Sequence, residues 1–314
     1  MTTYSPAELA DTLKEGLLSF PVTPFTADGE VDAVRYAEHI AWQTSFGIGG
    51  LFAAGGTGEG FSLTPAETAR VVALAVEAAD GATPVLGSAA GNTAQAVGNA
   101  RAAEEAGAEG VLLLPPYLTE CDQEGLLAHA SAVCSATGVG VIVYNRANAV
   151  YSAETVARLA ERHDNFIGFK DALGDIEQLT RVVATNGDRL FYLGGLPTAE
   201  TFALPLLQLG LSTYSSAMYN FVPEFALEFY RDVRAYDRAA VTEKLTRFVL
   251  PYLDIRDRVK GYGVSIVKGG LRAVGRDMGS VRPPLQDLGP RDLDDLAALI
   301  DAAQVRSAPA ALAR

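Results

Sequence analysis

Short apolar runs alternate along this chain with longer amphipathic stretches. The runs G-L-L-S-F-P-V, G-G-L-F-A-A-G, P-V-L-G-S-A-A, G-V-L-L-L-P-P, G-V-I-V-Y-N, F-I-G-F-K-D, F-Y-L-G-G and L-S-T-Y-S-S-A are apolar, β-branched or aromatic, as buried strands are. They recur about every 30 residues, the size of one βα unit. Between them lie helical patterns such as Pro65–Ala79, with Val71, Val72, Ala75 and Val76 at helical spacing, and 93–106, which Gly107 stops. Eight units in succession predict a closed (β/α)8 TIM barrel rather than an open doubly wound sheet, with the weakest pattern in the first and last strands.

Beyond Ala217 the pattern changes. Segments 222–234, 239–253, 262–274 and 291–303 read as helices with no strand pattern between them. The first completes the barrel and the others form a C-terminal helical extension, so the expected division is a catalytic barrel over 1–236 and an extension over 237–314. Within the extension, V-R-P-P-L at 281–285 reads as a rigid connector, and the final S-A-P-A-A-L-A-R as a frayed tail.

A chain of 314 residues with 49% hydrophobic content can bury a large core. Its net charge of −13, with no offsetting block of Lys and Arg, opposes attraction to nucleic-acid phosphates or anionic lipid. A small-molecule partner is expected, with no nucleic acid and no membrane. Cys121 and Cys134 lie close in sequence without a CxxC pair or His-rich neighbour, which points to reduced thiols rather than a disulfide or zinc. The segment M-T-T-Y-S-P-A-E-L-A lacks a basic region followed by an apolar one, and no run reaches the roughly 18 apolar residues of a membrane span. A cytoplasmic protein is expected. His39, His129 and His163 fall in helical stretches and read as surface or packing residues.

A lysine inside a buried strand is costly to desolvate, and F-I-G-F-K-D contains one. Strict alternation puts Phe166, Gly168 and Lys170 on one face and Ile167 and Phe169 on the other, and the bulkier face suits the helix layer. Lys170 then points into the barrel mouth, at the strand C-termini where active sites of this architecture lie. The same alternation groups Tyr144 with Ile142 at equal height on the preceding strand. A desolvated lysine favours its neutral amine, the form that attacks a carbonyl to make a Schiff base, and a nearby phenol can move the protons. The plain alternative pairs Lys170 with Asp171 and leaves Tyr144 as a cap on the core. The stretch A-A-G-G-T-G-E-G matches no nucleotide-binding pattern; it reads as a carboxylate-binding turn with the Thr57 hydroxyl, or as a turn that only shapes its connection.

P-V-T-P-F, G-G-T-G-E at 55–59, Y-N at 144–145 and G-F-K-D-A around Lys170, in this order and spacing, resemble the class I lyase family of dihydrodipicolinate synthase and N-acetylneuraminate lyase. The resemblance covers Gly16 to about Pro223 and, more loosely, the helical extension. It implies Lys170 as the Schiff-base lysine, Tyr144 as the proton-handling phenol, and Gly56 and Thr57 as the turn that holds a keto acid's carboxylate. Two departures matter. Y-N-R-A-N-A has Ala149 where the synthases carry an arginine and brings Arg146 closer to Tyr144, and P-P-Y-L puts Leu118 where a second tyrosine would serve a neighbouring subunit.

Together with S-T-Y-S-S-A-M-Y-N-F-V-P, these departures resemble the branch that dehydrates and decarboxylates a six-carbon keto diacid in sugar-acid catabolism. A diacid needs two anion sites, which makes Arg146 the candidate for the distal carboxylate, or else a rim salt bridge. Ser215, Ser216 and Asn220 are candidates for the substrate hydroxyls, or for satisfying loop backbone. The iminium is a sufficient electron sink, so no cofactor and no metal are expected. The resemblance further implies a homo-oligomer, dimer or tetramer. Another Schiff-base lyase of the family, or a non-catalytic keto-acid-binding barrel, remains open.

Overall fold

The computed structural model describes residues 3–117 and 120–306. Leu118 and the expected tail S-A-P-A-A-L-A-R lie outside the described residues. Eight parallel strands, β1 (Leu18–Ser19), β2 (Gly50–Phe52), β3 (Val85–Ala89), β4 (Gly110–Leu113), β5 (Gly140–Asn145), β6 (Phe166–Asp171), β7 (Phe191–Gly194) and β8 (Thr213–Tyr214), follow one another in sequence order around one sheet. The ring closes through a parallel bridge between Leu18 and Ser215 and a 2.9 Å hydrogen bond from the Ser216 N–H to the Leu18 carbonyl. This is the expected TIM barrel. The first and last strands, where the pattern was weakest, are two residues each.

After α1 (Pro6–Leu13), the helices α2 (Ala33–Thr44), α3 (Pro65–Ala79), α4 (Thr93–Glu105), α5 (Gln123–Cys134), α6 (Ala153–Arg162), α7 (Ile176–Asn186), α8 (Glu200–Gln208) and α9 (Pro223–Arg234) follow the eight strands in turn. Helix α1 is absent from the sequence expectations, although S-P-A-E states its start. Ser5 accepts from the Glu8 N–H, Glu8 returns the bond to Ser5, and Pro6 occupies the first turn. Its Leu9 and Leu13 enter the cluster inside the barrel at the N-terminal end of the strands. The fit needs a glycine: a Cβ on Gly50 would lie 2.5 Å from Leu13 Cδ2.

The expected alternation in β6 needs correction. Val141 pairs with Phe166 but Ile142 pairs with Gly168, so a bulge at Ile167 slips the register by one residue. Ile167 therefore joins Ile142, Phe191 and Leu193 inside the barrel, while Phe166 packs with Phe169 in the layer beneath the helices. Lys170 keeps its expected inward direction because the bulge precedes it.

Beyond the barrel come α10 (Arg238–Lys244), α11 (Leu250–Arg256), α12 (Tyr262–Ala273) and α13 (Pro290–Ala302). The single helix expected over 239–253 is α10 and α11 joined by a π-helical turn, Leu245–Val249. Pro251, at the start of α11, has no N–H for an ordinary helical bond. Among the described residues no helix is long and apolar enough to cross a membrane. Cys121 is exposed, Cys134 is buried, and both are free thiols; burial pushes the Cys134 thiol up to about 12.

The extension grips the barrel through charge. Lys268 of α12 lies 2.7 Å from the Glu59 carboxylate, with both side chains essentially solvent-free. The other Glu59 oxygen accepts from the Arg282 N–H at 2.9 Å. The Arg282 guanidinium donates to the Gly29 and Ser62 carbonyls at 2.6 and 2.8 Å and pairs with Glu67 at 2.5 Å. The paired prolines thus follow an anchor, in line with the rigid connector expected there. Lys268→Met would leave Glu59 buried without its cation, so a loss of about 3–5 kcal/mol is expected in denaturant unfolding. Glu59→Gln combined with Lys268→Met should recover part of it. A single-variant loss below about 1 kcal/mol would show that the pair is effectively solvated.

Candidate active site

Lys170 and Tyr144 are cross-strand partners at the C-terminal ends of β6 and β5. Lys170 is only 4% exposed, and among the described residues no carboxylate pairs with it. Its ammonium position is instead 3.7 Å from the centroid of Phe20 and 4.4 Å from that of Tyr144. Phe20 is itself held by stacking on Phe52 at 4.7 Å. Burial first, and then the positive charge of Arg146, lower the Lys170 pKa well below its ordinary 10.5. The alternative pairing with Asp171 does not occur. That carboxylate faces the other side of the strand, accepting from Asn145 Nδ2 at 2.9 Å and the Gly174 N–H at 3.0 Å.

Tyr144 is anchored rather than simply packed. Its hydroxyl donates to the Gly195 carbonyl at 3.0 Å and accepts from Arg146 Nη1 at 3.0 Å. Burial raises its pKa, and the Arg146 guanidinium opposes the rise. Gly195, on the loop after β7, was not singled out from the sequence. A Cβ there would lie 2.3 Å from Lys170 Cε, so this glycine makes room for the lysine while its carbonyl orients the phenol. The G-G that ends F-Y-L-G-G was the available signal.

These groups line a cavity of about 390 Å³, large enough for a six-carbon acid. Gly56, Thr57, Arg146 and Ser215 line it too. Among the described residues the N–H groups of Gly56 and Thr57 have no protein acceptor, which leaves them available to an anion. The turn leads into a 3-10 segment, Gly60–Ser62, before α3, so it does not open an α-helix directly. Arg146 is exposed at the mouth.

Ser216 and Asn220 lie beneath the cavity and do not line it. Ser216 is buried, with its hydroxyl on the Glu200 carboxylate, and accepts from the Tyr219 N–H at 3.3 Å. Asn220 Oδ1 meets the Val22 N–H at 3.0 Å, Gln43 Nε2 at 3.0 Å and His39 Nε2 at 3.1 Å, while its amide donates to the Phe20 carbonyl at 3.0 Å. Asn220 therefore supports the segment that carries Phe20. His39 is fully buried and burial lowers it to about 4, in keeping with the packing role expected of it. His129 meets the Thr93 hydroxyl at 2.9 Å, and His163 caps α6. Among the described residues no three His, Cys, Asp or Glu side chains converge in a metal-ligating group.

A desolvated amine without a counter-ion, beside an anchored phenol and under an anion-binding turn, defines a barrel equipped to condense with keto acids. Residues 13–303 match the Dihydrodipicolinate synthetase family, and the chain belongs to that family. Similar relatives include a probable 5-dehydro-4-deoxyglucarate dehydratase of Arthrobacter sp. (strain FB24), 70% identical over 300 residues, covering 96% of this chain and 99% of the relative. One of the same name from Corynebacterium glutamicum (strain R) is 68% identical, covering 96% of this chain and 95% of the relative. Among solved structures, dihydrodipicolinate synthase from Bacillus clausii superposes with a TM-score of 0.87 at 25% identity, covering 94% of this chain and 99% of that one.

The depressed lysine has a thermodynamic consequence. Unfolding returns Lys170 to its ordinary pKa, so the unfolded chain binds the extra proton at every pH between the lowered value and 10.5. Wild-type stability, measured against Lys170→Met, should therefore rise as pH increases through that window. The expected observation is a Lys170→Met variant more stable than wild type near neutrality, with the gap narrowing toward pH 10. A pH-independent gap would mean that Lys170 stays charged in the folded state.

Proposed function

We propose that this chain is a decarboxylating dehydratase that converts 5-dehydro-4-deoxy-D-glucarate to 2,5-dioxopentanoate, water and carbon dioxide through a Schiff base on Lys170. The observation that carries the reading is the buried, unpaired Lys170 directly across from Tyr144, in a cavity that also presents an arginine and an open anion-binding turn. The names of the relatives point to the same substrate. A dihydrodipicolinate synthase from Acinetobacter baumannii, 26% identical with a TM-score of 0.83, was solved complexed with pyruvate, the simplest keto acid with this headgroup.

The Lys170 amine adds to the ketone and water leaves, giving an iminium, while Gly56 and Thr57 hold the adjacent carboxylate. Loss of a proton from the neighbouring methylene forms an enamine, with Tyr144 as the proton carrier. The enamine expels the hydroxyl one carbon further on, as water once protonated, and leaves an unsaturated iminium. The distal carboxylate, met by Arg146, departs as carbon dioxide, and its electron pair flows along the conjugated chain into the iminium. Reprotonation and tautomerisation of the resulting enol yield the aldehyde, and water hydrolyses the imine to free Lys170. The water consumed in that last step equals the water released in the first, so one water and one carbon dioxide are the net losses. Both eliminations use one electron sink. Ser215 is placed to meet a substrate hydroxyl; Ser216 and Asn220 serve the reading as support for the loop. A cytoplasmic homo-oligomer, dimer or tetramer, belongs to the same proposal. Exposed Phe61 and Tyr117 are the kind of surface a second copy covers.

With chelator-treated protein and 5-dehydro-4-deoxyglucarate, carbon dioxide and the five-carbon aldehyde should appear in equal amounts, and borohydride should add irreversible mass to Lys170. Pyruvate as the main product would instead identify an aldolase. Tyr144→Phe should keep the fold and slow turnover by about a hundredfold or more, the usual worth of a positioned acid–base group. A near-normal rate would reduce Tyr144 to packing.

A further inference from the structure

The cavity has a second cationic wall that the sequence motifs do not mark. Arg256, the last residue of α11, lines it together with Tyr252 one helical turn earlier and Thr198 on the loop after β7. The guanidinium is held from two sides. Nε lies 2.7 Å from Asp257 Oδ1 and Nη2 3.1 Å from Oδ2, while Nη1 donates to the Thr198 hydroxyl at 2.7 Å. An arginine has five N–H donors. Three are engaged in this way, and among the described residues the other two have no partner.

Thr198 is unusual in its own right. It is β-branched, 7% exposed, and sits at φ +57°, a left-handed conformation that such residues avoid. Strained backbone of this kind concentrates at ligand sites. Its loop also carries Gly195, the acceptor for Tyr144, so Arg256 braces the same loop from outside the barrel. Arg146, by contrast, is committed by one N–H to the Tyr144 hydroxyl and lowers the Lys170 pKa, which ties its charge to the reaction centre.

We infer that Arg256, oriented by Thr198 and Asp257, is a specificity-determining residue that receives the far carboxylate of a dicarboxylate keto acid alongside Arg146. The inference rests on the keto-diacid reading above. A guanidinium whose orientation is already fixed presents its remaining donors to an incoming carboxylate with little further ordering, which favours the diacid over a monoacid of equal length. The exposed Asp257 carboxylate offsets the charge of Arg256 while the site is empty.

The test uses two six-carbon keto acids that lack the leaving hydroxyl, 2-oxoadipate with a far carboxylate and 2-oxohexanoate without one. Binding to the intact protein is measured by calorimetry, with borohydride trapping in parallel. Wild type should prefer the diacid, and Arg256→Met should weaken the diacid by at least about tenfold while leaving the monoacid within about twofold. Arg256→Lys should restore part of the preference. Equal weakening of both acids by Arg256→Met, reproduced by Thr198→Val, would reduce Arg256 to loop support and overturn the inference; so would a wild type that binds both acids equally. A wild type that prefers the diacid through Arg256 but cannot be trapped on Lys170 would support the inference while defeating the Schiff-base reading.

Discussion

The organisation of this molecule depends on keeping one lysine out of water without giving it a counter-ion. An ammonium at Lys170 would need a carboxylate within reach, and the nearest candidate, Asp171, is turned to the opposite face of β6 by the pleat. What surrounds the amine is aromatic: Phe20, fixed by its stack on Phe52, and the ring of Tyr144. Arg146 adds positive charge instead of relieving it. Each of these choices destabilises the charged form, and together they make the neutral nucleophile the resting state of the site. The structure carries this cost because the barrel around it is large: the interior cluster and the layer beneath the helices bury most of the aliphatic and aromatic content of the chain.

How much of this could be read in advance depended on the range of the interactions involved. Helix α3 is found at the residues its periodicity indicated, because Thr64, Pro65 and Glu67 state its start locally and the apolar stripe runs unbroken. The inward direction of Lys170 and its pairing with Tyr144 were legible because period-two alternation holds near the end of β6. The same rule misplaced Phe166 and Ile167, because a bulge is a property of two strands in register and leaves no mark on one of them alone. Helix α1 was announced by S-P-A-E and overlooked. The roles of Ser216 and Asn220 were not legible, since their partners Glu200, Val22, His39 and Gln43 are distant in sequence. Arg256 lay furthest from reach, since nothing in a helix pattern tells which exposed-looking arginine will face a cavity formed by another part of the chain.

Chemistry and support are divided between the layers. The strands supply Lys170 and Tyr144, whose positions are fixed by backbone pairing on both sides. The βα loops supply the groups that meet ligand, and each is tied down from elsewhere. The glycine turn runs into Glu59, which is buried against Lys268 and the Arg282 N–H. The loop after β7 is bonded to Tyr144 and to Arg256. A helical extension that could be mistaken for an appendage thus fixes two of the loops that shape the mouth.

The π-helical turn Leu245–Val249 has a consequence for how such a site can be acquired. A wide turn is what remains when a helix accommodates one additional residue without breaking, and here Pro251, which has no N–H to give, stands just beyond it. Because each residue of an α-helix advances the azimuth by about 100°, one extra residue rotates everything downstream by that angle relative to an uninterrupted helix. Tyr252 and Arg256, four residues apart on one face, owe their aim at the cavity to that rotation. A single-codon insertion upstream is enough to swing a ready-made pair of side chains from the flank of a helix into a binding pocket while the barrel, its strand register and its reactive lysine stay untouched.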